Sequence, residues 1–136
     1  MAGILFVDDN ANIRRLLRSF VETNTVFEIC GEAENGPEGI EKAKQLQPDL
    51  ILLDMTMPGM HGTEAASILK QLLPQVKIIL FTLHTDGVNQ ALASTFDIDV
   101  VISKTEAITT LREHLIALLK PVDSPTADLR KNTNIN

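Results

Sequence analysis

Short apolar runs recur along the chain, and amphipathic segments separate them. Successive runs start 23, 23, 27 and 22 residues apart, which fits one strand plus one crossover helix each time. Uninterrupted apolar runs are typical of parallel strands that are covered on both faces. The five runs are residues 4–7, 27–33, 50–53, 77–81 and 99–102.

Between these runs, apolar residues at helical spacing predict five helices. The first helix is predicted from Ile13, Leu16, Leu17, Phe20 and Val21, and the last from Ile108, Leu111, Leu115, Leu118 and Leu119. The second helix is expected to open after Gly36, bury Ile40, Ala43 and Leu46, and stop at Pro48. The third carries Ala65, Ile68, Leu69 and Leu72, and the weakest, the fourth, lies around residues 88–96.

Five βα units predict one α/β domain. The handedness of βαβ units and strand adjacency favour a doubly wound three-layer sandwich, with a five-stranded parallel sheet of order 2-1-3-4-5. We expect this domain to occupy residues 1–120. Residues 121–136 are polar, contain proline and lack an apolar period, which predicts a tail or the start of a linker.

Composition and charge narrow the function classes. A net charge of −6 and the lack of a Lys/Arg cluster argue against direct nucleic-acid binding. The single cysteine, Cys30, excludes an internal disulfide and a cysteine-based zinc site. The N-terminal apolar run is too short for a signal peptide or a membrane span, so we expect a cytoplasmic protein without membrane contact.

Polar side chains follow several predicted strands at the point where each ends. Asp8 and Asp9 follow the first strand, Asp54 the third, Thr82 the fourth, and Ser103 with Lys104 the fifth. In open parallel sheets, ligands bind beyond the carboxyl ends of the strands, where the winding direction reverses. Oxygen ligands select a hard cation, so three carboxylates there favour Mg²⁺ over zinc.

Each of these residues also has an ordinary interpretation. Asp8 to Asn10 could cap the first helix, Thr82 could be a β-branched strand residue and Lys104 a solvated lysine. Because the predicted sheet brings these residues to one edge, the metal site is favoured over the ordinary interpretations. Asn10 can still cap the first helix. Asp54 is the best candidate for a phosphoryl acceptor, because Pro58-Gly59 predicts an ordered type II turn after it.

The chain resembles the response-regulator receiver domains of two-component signalling. The resemblance covers Ile4 to about Lys120 and rests on VDDN, LLDMTMPGMHG, Thr82 and Lys104 in the expected order. It implies the flavodoxin-like fold and a phosphoryl group accepted by Asp54 from a histidine kinase or phosphotransfer protein. Leu83-His84, and the lack of proline after Lys104, look most like the NarL/LuxR-type receivers.

The resemblance also implies roles for the other residues. Asp8 would act mainly through a metal-bound water, while Asp9, Asp54 and a main-chain carbonyl near Met57 would hold Mg²⁺. Thr82 and Lys104 would contact the phosphoryl oxygens. A surface made of the fourth helix, fifth strand and fifth helix would then shift and contact an output partner, and it could also form a homodimer.

Several positions are expected to modulate this chemistry. Val101 stands where many receivers carry an aromatic residue, so a switch through an aromatic ring is not assumed. Leu83 is bulkier than the small residue that many receivers have there, and His84 could influence how water reaches a phosphoaspartate. NarL/LuxR-type receivers usually precede a helix-turn-helix, so this chain either acts alone or stops short of an output domain.

Two rival functions remain open at this point. A phosphatase of the haloacid-dehalogenase type would also use an aspartyl nucleophile, but it needs an acid two residues later, where this chain has Thr56. A plain interaction module with an unphosphorylated site is the second rival. The preferred prediction is a non-enzymatic phosphoacceptor switch.

Overall fold

A computed structural model describes residues 2–82, 96–103 and 107–119, with side chains of the last segment described from Thr110. The described strands form one parallel sheet in the order β2-β1-β3-β4-β5. This is the strand order expected from the sequence. The strands are β1 (Gly3–Val7), β2 (Glu28–Ala33), β3 (Leu50–Asp54), β4 (Lys77–Thr82) and β5 (Val100–Ser103).

Helices cover both faces of the sheet. They are α1 (Ala11–Asn24), α2 (Gly36–Leu46), α3 (Gly62–Leu72) and α4 (Ala107–Leu119), where α4 is the fifth helix of the sequence-based prediction. The predicted helix around residues 88–96 lies outside the described residues apart from Phe96, and so does the predicted tail. No described helix is long and apolar enough to cross a membrane.

The apolar core has two halves, one on each face of the sheet. Alternate residues of β1 divide between them: Leu5 and Val7 pack with α2 and α3, whereas Ile4 and Phe6 pack with α1 and α4. Every residue of β1 and β3 is buried, which explains their uninterrupted apolar sequences. The three-layer prediction is therefore confirmed.

The predicted apolar stripes of the helices are wider than the faces that the structure buries. Leu17 is 3% exposed, whereas its neighbour Leu16 is 53% exposed. Leu46, Ile68 and Leu72 are also exposed, although the spacing placed them on buried faces. A helix packed on one sheet buries only the residues nearest the sheet. The four exposed residues lie at the margin of the helix face that contacts the sheet.

Strand β2 contains a bulge that interrupts its pairing with β1. Ile4 pairs with Ile29 but Leu5 pairs with Gly31, so Cys30 is an extra residue in the ladder. Paired residues of neighbouring strands share a face of the sheet. Glu32, which pairs with Phe6, therefore lies on the α1 side, and Ala33, which pairs with Val7, lies on the α2 side.

Candidate functional site

The carboxyl ends of four strands carry polar residues and lie at one edge of the sheet. Asp8 follows β1, Asp54 is the last residue of β3, Thr82 ends β4 and Ser103 ends β5. Asp54 pairs with Phe81 across the β3–β4 ladder, and Thr82 pairs with Ser103 across the next ladder. Parallel pairing thus brings these residues, far apart in sequence, to the same edge.

Three carboxylates form the centre of this edge. One carboxylate oxygen from each of Asp8, Asp9 and Asp54 lies within 4.8 Å of the other two. Asp8 is 3% exposed and Asp54 is 4% exposed, whereas Asp9 faces solvent. Carboxylates this close repel one another unless a cation lies among them, and an all-oxygen set of hard ligands suits Mg²⁺.

Local hydrogen bonds fix Asp8 at the start of the β1–α1 connection. Its main-chain N–H donates to the carbonyl of Ala33 at 3.1 Å, and its Oδ1 accepts from the N–H of Asn10 at 2.9 Å. Asn10 is the N-cap of α1, because its side-chain oxygen accepts from the N–H groups of Asn12 and Ile13. The N-cap residue Asn10 therefore directly follows the acidic pair Asp8 and Asp9.

Asp54 lies between β4 and the start of α3. The N–H of Met55 donates to the carbonyl of Phe81 at 2.8 Å, and the N–H of Gly62 donates to the carbonyl of Met55 at 2.8 Å. Asp54 Oδ1 also accepts from the N–H of Thr56 at 3.3 Å. These bonds hold the segment after Asp54 against the neighbouring strand and the first turn of α3.

Two glycines shape the loop between Asp54 and α3. Gly59 has a φ of 83°, which fits the third position of the predicted type II turn after Pro58. A Cβ placed on Gly62 would lie 2.4 Å from the carbonyl oxygen of Asp54, so only glycine allows this approach. Met57 is buried in the core beneath the loop.

The remaining predicted residues divide into described and undescribed positions. Thr82 is 6% exposed at the end of β4, Thr56 is exposed in the loop, and Val101 is half-buried against the α2–α3 side of the core. Lys104, Leu83 and His84 lie outside the described residues, so their predicted roles stay predictions. Ser103 is 4% exposed beside Thr82 and was not among the predicted phosphoryl contacts.

Sequence reasoning missed a cationic group on the α1 side of the site. Arg14 Nη1 donates to the carbonyl of Asp8 at 2.6 Å, and Arg14 Nε pairs with Glu32 Oε1 at 3.0 Å. Arg18 Nε pairs with the second oxygen of Glu32 at 2.6 Å. The sequence signal available for the contact with Asp8 was the position of Arg14, one helical turn after Asn10. No local pattern links Arg14 to Glu32, which is 18 residues away.

These arginines change the ionisation of Glu32. Partial burial alone would raise the pKa of Glu32, but the hydrogen bonds from Arg18 and Arg14 outweigh it and lower the pKa below its ordinary value. The same contacts with Glu32 raise the pKa of Arg18. Glu32 is therefore a carboxylate over the whole neutral range.

The sequence has relatives among known signalling proteins. A family model described as "Response regulator receiver domain" matches residues 4–116. Response regulator protein VraR of Staphylococcus saprophyticus is 34% identical over 110 residues, which are 81% of this chain and 53% of that protein. VraR of Staphylococcus aureus strain Mu3 is 38% identical over 102 residues, 75% and 49% of the two chains. This chain thus spans about half the length of these relatives.

Solved structures show the same fold. A two-component response regulator of the LuxR family from Aurantimonas sp. SI85-9A1 has a TM-score of 0.82 at 25% identity, covering 88% of this chain and 86% of that one. The receiver domain of RcsB from Salmonella enterica serovar Typhimurium, in the presence of phosphomimetic BeF₃⁻, has a TM-score of 0.79 at 24% identity, covering 88% of each chain. The matched residues and the relatives lead to one conclusion: this chain belongs to the response-regulator receiver domain family, on the NarL/LuxR-type side of it.

Proposed function

We propose that Asp54 is the phosphoryl acceptor of this receiver domain and that its phosphorylation requires Mg²⁺. The observation that carries the proposal is the meeting of Asp8, Asp9 and Asp54 within 4.8 Å at the carboxyl edge of the sheet. Asp54 ends β3 and has a main-chain N–H beside its Oδ1, so its carboxylate is oriented before any donor arrives.

The transfer moves a phosphoryl group from a histidine of the donor to Asp54. A carboxylate oxygen of Asp54 forms a bond to phosphorus while the bond between phosphorus and the imidazole nitrogen of the donor breaks. The bonding electron pair leaves with the imidazole, which takes up a proton. Little covalent assistance is needed in such reactions, so orientation and charge stabilisation supply most of the catalysis.

The donor set of the site fits Mg²⁺. Asp8, Asp9 and Asp54 supply only oxygen atoms, and two of the three carboxylates are buried where uncompensated charge is unfavourable. When bound, Mg²⁺ supplies positive charge that offsets the three carboxylates and the incoming phosphoryl oxygens. The chain itself holds the carboxylates at the ends of β1 and β3.

Hydroxyl and ammonium groups complete the proposed site. Thr82, at the end of β4, and Lys104, which follows β5 in sequence, contact the phosphoryl oxygens of phosphorylated Asp54. Among the modulating positions, Leu83 and His84 set how water and small phosphodonors approach. Thr56 stands where a phosphatase would carry its acid, and Val101 stands where many receivers carry a switching aromatic residue. A rearrangement driven by a few charge-assisted hydrogen bonds is enough to shift a two-state equilibrium of a few kcal/mol.

A hydrolytic enzyme of the haloacid-dehalogenase type is less well supported. Such an enzyme needs an acid two residues after its nucleophile to protonate the leaving group, and this chain has Thr56 there. Membership in the receiver family favours a signalling domain. The intrinsic chemistry of the site is then limited to self-phosphorylation and self-dephosphorylation.

The partners follow from the same proposal. A histidine kinase or phosphotransfer protein donates to Asp54, and an output partner or attached output domain reads the change. The receiver occupies residues 1–120 in this proposal, and residues 121–136 are a polar tail or the start of a linker. The VraR relatives, about twice as long as the matched region, favour the linker. The proposed contact with the output partner or a second copy is a surface formed by three elements: the predicted helix around residues 88–96, β5 and α4.

Intact mass after exposure to phosphoramidate and Mg²⁺ tests the proposal. Wild type gains one phosphoryl mass, and Asp54→Asn gains none. Asp97→Asn is the matched control, because it makes the same change at an exposed residue outside the site. Asp97 has a φ of 58°, a conformation that asparagine adopts readily, so this control keeps its local backbone.

Equal phosphoryl gain by wild type and Asp54→Asn would refute the acceptor assignment. Chelation of Mg²⁺ is expected to abolish the gain in wild type, and its persistence would refute the metal requirement. Steady turnover of small phosphomonoesters would favour the phosphatase. Beryllofluoride with Mg²⁺ should shift the Thr56 amide resonance, and failure to shift any amide would favour an unphosphorylated interaction module.

A further inference from the structure

We propose that Arg14 is a positioning residue for the divalent cation, acting through the main chain of Asp8. This inference rests on the proposed Mg²⁺ site. Arg14 connects the carbonyl of Asp8 to the carboxylate of Glu32, and it thereby fixes the Asp8–Asp9 peptide relative to β2.

The geometry of Arg14 is that of a partly buried bridge. Its Nη1 donates to Asp8 O at 2.6 Å, its Nε donates to Glu32 Oε1 at 3.0 Å, and its side chain is 14% exposed. A fixed guanidinium fork can hold two acceptors at a defined separation, which a flexible ammonium cannot do. Charge-assisted hydrogen bonds of this kind are also stronger than neutral ones.

The far end of the bridge is itself held in place. Glu32 pairs with Phe6 across the β1–β2 ladder, so its side chain lies on the α1 side of the sheet. Its second carboxylate oxygen pairs with Arg18 at 2.6 Å, and its main-chain carbonyl accepts a hydrogen bond from Lys42. Arg14 therefore links Asp8 to a strand whose position is set by separate contacts.

The Asp8 carbonyl is where this bridge affects the metal site. Asp8 N–H is bonded to Ala33, and Asp8 Oδ1 is bonded to the N–H of Asn10. Without Arg14, the peptide between the two proposed ligands Asp8 and Asp9 loses the hydrogen bond from Arg14 to its carbonyl, which removes one constraint on its rotation. Rotation of this peptide moves the Asp9 carboxylate away from the other two carboxylates.

Positioning and simple electrostatics predict opposite results. A positive charge near three carboxylates repels a cation, so if Arg14 acted only through its charge, Arg14→Gln would tighten Mg²⁺ binding. If Arg14 positions the ligands, Arg14→Gln weakens Mg²⁺ binding although it removes a repulsive charge. Residues that orient metal ligands typically contribute roughly tenfold or more in affinity.

The experiment is a Mg²⁺ titration of the full chain followed by backbone amide NMR. The sequence has no Trp or Tyr, so amide resonances are the suitable probe. The variants are Arg14→Gln, Arg14→Lys and Glu32→Gln. Arg15→Gln is the matched control, because it removes the same charge one residue away. The side chain of Arg15 is exposed and bonds to Asn12 instead of Asp8.

We expect Arg14→Gln to raise the dissociation constant for Mg²⁺ roughly tenfold. Arg14→Lys is expected to weaken binding nearly as much, because it keeps the charge but loses the fork. Glu32→Gln should weaken binding in the same direction, while Arg15→Gln stays within about twofold of wild type. A role confined to fold stability would leave the dissociation constant of the folded variants unchanged.

Binding by Arg14→Gln that equals or exceeds that of Arg15→Gln would overturn the inference, and so would an unchanged affinity in Arg14→Lys and Glu32→Gln. Phosphoryl gain is recorded on the same samples. If wild type binds Mg²⁺ and gains the phosphoryl mass, but the Arg14 substitutions do not change the Mg²⁺ affinity, this inference alone is overturned. If the Arg14 substitutions weaken Mg²⁺ binding but wild type gains no phosphoryl mass, the proposed function alone is overturned. If wild type binds no Mg²⁺, both are overturned.

Discussion

The α-carbon of Gly62 lies so close to Asp54 that an added Cβ would approach the Asp54 carbonyl oxygen to 2.4 Å. The same Cβ would lie 2.8 Å from the α-carbon of Met55. Both contacts are with main-chain atoms, which cannot move aside as a flexible side chain could. The first turn of α3 is therefore packed directly on the strand end that carries the proposed acceptor.

Gly62→Ala is expected to lower the free energy of unfolding by about 1–3 kcal/mol, because either the helix or the strand end must shift. Urea denaturation measures the loss, and the Met55 and Thr56 amide resonances report the displacement. Gly59→Ala is the control: its φ of 83° is unfavourable for alanine, but no atom lies within 4 Å of the added Cβ. Equal displacement at Met55 in both variants would contradict the close-approach explanation.

Asn10→Ala tests the N-cap of α1. The side chain of Asn10 satisfies two main-chain N–H groups, those of Asn12 and Ile13. Its loss is expected to reduce the free energy of unfolding by about 1 kcal/mol, measured by urea denaturation at neutral pH. Ser19→Ala, on the exposed side of the same helix, should change it by less than about 0.5 kcal/mol. A loss at Ser19 as large as that at Asn10 would argue against the cap.

Adjacent leucines of α1 test which side of the helix faces the sheet. Leu17→Ala removes a side chain that is 3% exposed and is expected to cost about 2–5 kcal/mol of stability. Leu16→Ala removes one that is 53% exposed and should cost less than about 1 kcal/mol. Thermal or urea unfolding distinguishes the two. Similar losses would show that the orientation of α1 is wrong.

Glu32 is expected to stabilise the fold in a pH-dependent way. Because the folded-state pKa of Glu32 lies below its ordinary value of 4.5, its contribution is present above that pH and is lost as the pH falls through the lowered pKa. The stability difference between wild type and Glu32→Gln should thus be largest near neutral pH and shrink below about pH 4. Urea denaturation across this range measures it, and a difference that grows on acidification would contradict the arginine contacts.

Local sequence patterns predicted most of the fold, because strand burial recurs along the chain and leaves an apolar run in the sequence. Every residue of β1 and β3 is buried, so the strands read as plain apolar runs. Once a parallel sheet is inferred, the carboxyl ends of its strands must share an edge, and Asp8, Asp9 and Asp54 meet there as predicted. The roles assigned to them remain proposals.

Other features depend on pairings that no local pattern contains. The contact of Arg14 with Glu32 requires both the orientation of α1 and the register of β2, and apolar spacing does not specify either. The exposure of Leu16 depends on how far α1 is rotated about its axis, which the packing of Leu17 and Val21 decides. The close approach of Gly62 to Asp54 likewise needs the path of the loop between them.

The extra residue in β2 has a consequence for how this sequence can change in length. Upstream of Cys30 the strand alternates normally, and after it the alternation restarts one position late. Deletion of Cys30 would restore unbroken alternation while keeping Gly31 opposite Leu5 and Glu32 opposite Phe6, so Glu32 would still lie on the side of α1 and Arg14. Position 30 can therefore be substituted or lost in evolution without moving Glu32 to the other face, because the pairing of Glu32 with Phe6 decides on which side of the sheet the carboxylate lies.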